Sequence, residues 1–277
     1  MRKSRIQKQI EQIQILDAPE YPDIIYKYRI WNDDFHKILL SERKVFLASP
    51  ISFEDKKDCK LFVRYDLMTK LDIYKKYIEI SKIDNPQWTK EQHKRHALKW
   101  TTNSPLKDKK NIKIQQEEHF RKFNERFGVL SLTANKSNLA MWNKYSNDGT
   151  GFCVGFDSKI LFDNLGGGGE VKYYSKLPDI YHDDPFIIEH SKQVFSKEEK
   201  WSFEEEYRTH KFHEKTINLS DRQIVLPVGA FREVIFGWNT TEQDKNEIIQ
   251  ACKSQGLKVV FKKCSLQNNE IIIEEIE

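Results

Sequence analysis

Eight consecutive residues, Trp201-Ser202-Phe203-Glu204-Glu205-Glu206-Tyr207-Arg208, hold the most concentrated polar chemistry of the chain. They follow a Lys-rich run at 197–200 and read as the start of a strand. Strand alternation then puts Glu204, Glu206 and Arg208 on one face, about 7 Å apart. Clustered carboxylates repel unless something offsets them, so such a row is either a solvated face or the rim of a polar site.

A second set is Met141-Trp142-Asn143-Lys144-Tyr145, a predicted helical turn between a strand ending at Thr133 and one starting at Gly151. Trp142 and Tyr145, three apart, share a helix face. The turn either packs on a sheet or walls a planar ring, with the Tyr145 hydroxyl as a polar handle. A third set is Asp55, Asp58, Glu204 and Glu206, carboxylates of the type that hold Mg²⁺ in a metal-dependent nuclease. Their spacing does not fix where they lie relative to one another. Familiar signatures are missing: no Walker-type loop, no dinucleotide glycine fingerprint, no His-Glu-x-x-His and no Cys-x-x-Cys. The glycines at 166–169 read as a flexible hairpin. His210 and His213 read as surface residues near a strand.

These residues need elements to position them. At 277 residues, 38% hydrophobic and 32% charged, the chain is expected to form one large, wet domain. No apolar run is long enough to span a bilayer, and the basic first residues lead into Gln and Glu, so neither a membrane span nor a secretory signal is expected. Cys59, Cys153, Cys252 and Cys264 lack paired short spacing and read as free thiols of a reducing cytoplasm. Between Lys56 and Arg126, 19 Lys and Arg stand against 10 Asp and Glu, a net of +9 that leaves −5 for the remainder. Tyr74, Tyr77, Trp88 and Trp100 lie among them. The region is either a helical insertion with solvated basic faces or a surface that binds nucleic acid through cations and rings.

Residues 1–20 read as a short polar helix or mobile arm. Strand chemistry covers 24–30 and 44–48, with a short helix at 35–40 between them. From about 58 to 127, Leu61, Tyr65, Met68, Leu71, Tyr74 and Ile78 recur at helical steps, with breaks at 83–86 and 101–105. Short strands return at 129–133, 151–156, 170–174, 206–212, 224–228 and 233–236. A helix at 242–254 follows, with Thr240 and Gln243 spaced for a capping box; strands at 258–262 and 270–276 close the chain. Grouped rather than alternating elements predict an α+β domain over 21–277, a mostly antiparallel sheet core with a basic helical insertion.

The succession resembles the prokaryotic family known as domain of unknown function 2971. The residues that carry the likeness are Tyr26-Lys27-Tyr28-Arg29, Ser49-Pro50, Phe53-Glu54-Asp55 through Asp58, Met141-Trp142 with Tyr145, and Gly151 to Phe156. Val171 with Tyr173, Lys200-Trp201 with Phe203-Glu204, Glu206, Arg208, and Val234-Ile235 with Gly237 complete it. One departure is Phe53-Glu54-Asp55-Lys56, where the family has Phe-Asn-Asp-Pro.

A fainter likeness is to the three-part layout of ADP-ribosyltransferases: a basic strand, an aromatic-bearing turn and a late strand with a Glu. This resemblance implies NAD as substrate. It implies Lys27 or Arg29 as the cation for the pyrophosphate, Trp142 or Tyr145 beside the nicotinamide, and Glu204 or Glu206 at the oxocarbenium-like centre. Glu206 is favoured because it sits deeper in the predicted strand, with Arg208 either holding it or neutralising it. The association implies a bacterial defence effector or toxin acting on a nucleic-acid or protein acceptor. Two alternatives stay open: a non-catalytic nucleic-acid- or partner-binding module, in which the Glu and Arg row forms structural ion pairs, and the metal-dependent nuclease.

Overall fold

A computed structural model describes residues 21–276; the arm read at 1–20 lies outside them. The chain runs β1 (Ile24–Arg29), α1 (Asp34–Ser41), β2 (Lys44–Phe46), α2 (Lys70–Asp84), α3 (Lys90–Thr102), α4 (Lys109–Asn124), β3 (Phe127–Thr133) and α5 (Leu139–Tyr145). It continues through β4 (Phe152–Asp157), α6 (Ser158–Leu165), β5 (Gly169–Glu170), β6 (Lys172–Tyr174), α7 (Phe186–Phe195), β7 (Ser196–Glu198) and β8 (Glu206–Phe212). It closes with β9 (Gln223–Val225), β10 (Phe231–Phe236), α8 (Glu242–Ser254), β11 (Val260–Gln267) and β12 (Glu270–Glu275).

Eight strands form one sheet in the order β12-β11-β10-β4-β1-β3-β8-β5. Neighbours are antiparallel except β10 and β11, so the fold is α+β with a mostly antiparallel sheet, as the grouping of elements predicts. Strand β4 is central, and Phe152, Cys153, Val154 and Phe156 are fully buried. One face of the sheet buries Ile25, Leu40, Phe152, Val154, Phe162 and Ile248, with α1, α6 and α8 supplying the cover. The other buries Tyr26, Tyr28, Met141, Trp142 and Cys153 beneath α5.

The sheet is split in the middle. β1 pairs with β4 over six residues, Ile24↔Asp157 to Arg29↔Phe152. β3 pairs with β8 over seven, Phe127↔Phe212 to Thr133↔Glu206. Between these halves the only register pair is Tyr26↔Thr133. Past it, toward Arg29, β1 and β3 part, and Ala48 takes the edge of β3 by exchanging both hydrogen bonds with Val129, each 2.8 Å. The end of β1 is fixed by Gly151, where a Cβ would fall 2.1 Å from the Arg29 carbonyl oxygen. Gly151→Ala is therefore expected to cost about 1–3 kcal/mol by overpacking, read as a lowered urea midpoint at unchanged slope.

Several sequence expectations shift. Helix begins at Lys70, where Thr69 and Asp72 form a capping box, not at 58. The 58–69 backbone is spoken for elsewhere: the Gln193 side chain accepts from Leu61 N and donates to Cys59 O, and Gln116 Oε1 accepts from Val63 N. The last helix is capped by Thr241, not Thr240, whose hydroxyl donates to Gly151 O at 2.7 Å. The glycine run is not a free hairpin: Gly166 ends α6 at φ +87°, a conformation glycine adopts without steric cost. Helices α6 and α7 carry no strong sequence signal. In the octet, Glu199–Glu204 is a 3₁₀ helix, Glu205 is left-handed at φ +43°, and the strand starts only at Glu206.

Candidate functional site

A cavity of about 290 Å³ opens in the split between β1 and β3. Its walls come from β1 (Lys27, Arg29), β3 (Ser131), the 46–58 segment, α5 (Tyr145) and the β7–β8 connection (Lys197, Trp201, Glu204, Glu206). The left-handed turn at Glu205 lets Glu204 and Glu206 converge although they do not share a strand.

One wall is a layered ion cluster. Arg208 is fully buried and forks to two carboxylates. Nη1 and Nη2 donate to Asp58 Oδ1 and Oδ2 at 2.7 and 2.6 Å, while Nε and Nη2 donate to Glu206 Oε1 and Oε2 at 2.7 and 2.9 Å. Lys197 Nζ lies 3.0 Å from Glu206 Oε2 and 3.7 Å from Asp58 Oδ2, and also donates to Glu204 Oε2. The Tyr145 hydroxyl donates to Glu204 Oε1 at 2.5 Å. Three carboxylates thus share two cations. Burial alone would push the Glu206 carboxyl up, but the charges of Arg208 and Lys197 outweigh it and hold it down to about 2. Burial would likewise pull Lys197 down, yet Glu206 and Glu204 raise it, so it stays charged.

The facing wall is different. Lys27 Nζ donates to the Ser131 carbonyl, and Arg29 Nη1 donates to the Tyr28 carbonyl at 3.3 Å. Neither has a carboxylate at ion-pair distance among the described residues. Burial, and then the neighbouring Arg29 charge, pushes Lys27 well below the usual lysine range. Burial brings Arg29 down to about 10. Two lysines in one cavity are therefore driven in opposite directions: burial dominates at Lys27, and the combined charges of Glu206 and Glu204 dominate at Lys197. A cation without an anion in a confined space favours an anionic ligand.

Of the residues singled out from sequence, Lys27, Arg29, Tyr145, Glu204 and Glu206 line this cavity. Trp142 does not. It is fully buried, donates from Nε1 to Lys136 O at 2.8 Å and meets the Tyr28 ring edge-on at 5.0 Å, so it is a core residue. The aromatic residues that line the cavity are Tyr26, Tyr28, Phe46, Phe53, Tyr145 and Trp201. Trp201 Nε1 is buried with no acceptor among the described residues, a donor a ligand could satisfy. Arg208 does not line the cavity; it sits behind the wall, bonded to Glu206 and Asp58. His210 is not a free surface residue, since its Nε2 lies 2.7 Å from that of His190.

Glu204 and Glu206 differ in their partners. Both Glu206 oxygens accept from Arg208, which offsets its charge, whereas Glu204 accepts from Lys197 on one oxygen and from the neutral Tyr145 hydroxyl on the other. A Mg²⁺ site gains no support: Asp58, Glu204 and Glu206 already spend their oxygens on Lys197 and Arg208, which would repel a metal. Among the described residues no group of three His, Cys, Asp or Glu is disposed to hold one. Lys197, the hub of the cluster, carries no local sequence signal among 46 basic residues. Comparison with protein-family models, curated proteins and solved structures gives no match, so the two resemblances rest on their own residues.

Proposed function

We propose that the cavity is the NAD site of an ADP-ribosyltransferase-like enzyme. The observation that carries this reading is a pair of basic side chains without carboxylates at ion-pair distance, the charged Arg29 and a Lys27 that can take up a proton, facing Glu204 across one aromatic-lined cavity. Arg29 and Lys27 are suited to pyrophosphate, Tyr145 and Trp201 to a flat ring. Glu204 is suited to a ribose whose C1′ becomes positive as the bond to nicotinamide breaks. At about 290 Å³ the cavity falls just under the usual range of ligand sites, roughly 300–1,000 Å³. It has room for the nicotinamide–ribose–phosphate half, with the adenosine half outside.

Isothermal titration tests the assignment. NAD is expected to bind one to one, and Arg29→Ala to weaken it about 10–100-fold, the value of one or two charged hydrogen bonds. Binding of inorganic pyrophosphate but not NAD would favour the non-catalytic module.

A pH dependence follows from Lys27. Its pKa in the free protein is depressed, and a bound phosphate would raise it, so binding takes up a proton and NAD affinity falls as pH rises through the depressed value. Titration in buffers of different ionisation enthalpy measures that proton. The same depression bears on stability: the lysine is easily buried when neutral, and stability is lost as pH falls from the ordinary lysine range through the folded-state pKa. Lys27→Met is therefore expected to raise Tm near neutral pH, by roughly 2–4 °C per kcal/mol recovered, while weakening NAD.

A further inference from the structure

The basic insertion holds a feature that its own packing does not require. α2 and α3 pack through Ile73, Ser81, His93 and Ala97, all buried, with Ser81 Oγ 2.9 Å from His93 Nδ1. Beside that seam runs a second row of rings. Tyr77 of α2 stacks on Trp100 at 5.8 Å and 22°. Trp100 lies 6.2 Å from His96, and His96 lies 5.4 Å from Trp88, just ahead of the helix. Trp100 is 37% exposed. Trp88 also covers His93 at 5.9 Å, which explains that ring as a staple for the helix start; Trp100 stacks on Tyr77 with one face and leaves part of its ring, like that of His96, open to solvent.

Cations line the row. Along α3, Lys90, Lys94, Arg95 and Lys99 are exposed, and Glu91, the only acidic residue, is engaged by Lys94 at 2.9 Å. Lys99 is three residues from His96 and so shares its side of the helix, and Arg95, four residues before Lys99, lies one turn from it along the edge of the row. No ion pair with a carboxylate is formed by Arg95 or Lys99 among the described residues.

We infer that this face of α2 and α3 docks single-stranded nucleic acid, its phosphates on Arg95 and Lys99 and its bases against Trp100 and His96. Charge complementarity calls for a polyanion, and the exposed Trp100 with the half-buried His96 selects one whose flat faces are accessible. A duplex keeps its bases stacked inside, and an acidic protein surface offers charge without rings. The inference is independent of what the cavity binds, so it stands or falls apart from the NAD reading.

The test is fluorescence anisotropy with a labelled oligothymidine longer than the roughly 4–16 nucleotides of a typical single-strand site. Binding is expected at low salt, weakening linearly in log–log form with a slope of about −0.7 per phosphate contacted. The duplex of equal length should bind more weakly. Trp100→Ala should lower affinity roughly 5–100-fold, as loss of one stacked base does, with unchanged circular dichroism. The double variant Arg95→Gln, Lys99→Gln should shallow the salt slope by about 1.4, two contacts at 0.7 each. The inference is overturned if the oligothymidine does not bind at low salt, or if duplex and single strand bind alike and Trp100→Ala changes nothing. Binding only to vesicles of anionic lipid would overturn it too, reassigning the face to a membrane surface.

Discussion

Arg208→Met is expected to unfold the domain or leave it marginally stable. The guanidinium is fully buried and makes four hydrogen bonds to Asp58 and Glu206, with a fifth to Val194 O at 2.7 Å. Removing it leaves three buried carboxylates with Lys197 alone to offset them. Breaking one buried pair costs about 3–5 kcal/mol, and total stability for a domain is about 5–15 kcal/mol. In Arg208→Met two pairs break at once. Arg208→Lys is expected to recover little, because an ammonium cannot fork to two carboxylates in the guanidinium's geometry. Urea unfolding followed by circular dichroism measures both variants. The wild type should lose stability in acid for the same reason. The Glu206 carboxyl is depressed to about 2, so its contribution is complete above the ordinary carboxylate range and is lost as pH falls from there toward 2.

Glu204→Gln is expected to fold normally and to lose about 100-fold or more in NAD turnover, roughly 2.7 kcal/mol at the barrier, with NAD affinity little changed. The amide keeps the size, its one carbonyl oxygen can accept from Lys197 and its NH2 can donate to the Tyr145 hydroxyl oxygen, while the charge that would face a developing oxocarbenium is gone. Glu206→Gln gives the contrasting result. It removes the partner charge from the Arg208 fork, so it should lower the urea midpoint before any kinetic effect is considered. If Glu206→Gln is stable and Glu204→Gln keeps full turnover, the division of roles between the two carboxylates is wrong.

How much of this was legible in the sequence depends on whether the signal is local. The strand from Glu206 to Phe212 and the helix from Glu242 to Ser254 are visible because alternation and capping residues act within a few positions. The left-handed Glu205 is not, since nothing near it announces a positive φ, and that one residue moves Glu204 off the strand while still aiming it at Glu206. Trp142 reads the same from sequence whether it packs against Tyr28 or faces a ligand. The split between β1 and β3 arises because Ala48, far away in sequence, takes Val129, and pairings at that distance leave no periodic trace. Lys27 and Arg29 stand out only through a family resemblance; strand composition alone says which side of β1 they share, not that the neighbouring strand parts there and opens a cavity.

Nicotinamide release from NAD decides whether the cavity is catalytic. The protein is incubated with NAD alone, with a single-stranded oligonucleotide and with candidate protein acceptors, and free nicotinamide is quantified for the wild type and Glu204→Gln. Release by the wild type is expected in at least one of these mixtures, falling about 100-fold in Glu204→Gln while both proteins bind NAD in titration. Wild-type protein that is folded yet neither binds NAD nor releases nicotinamide in any mixture would contradict the transferase reading.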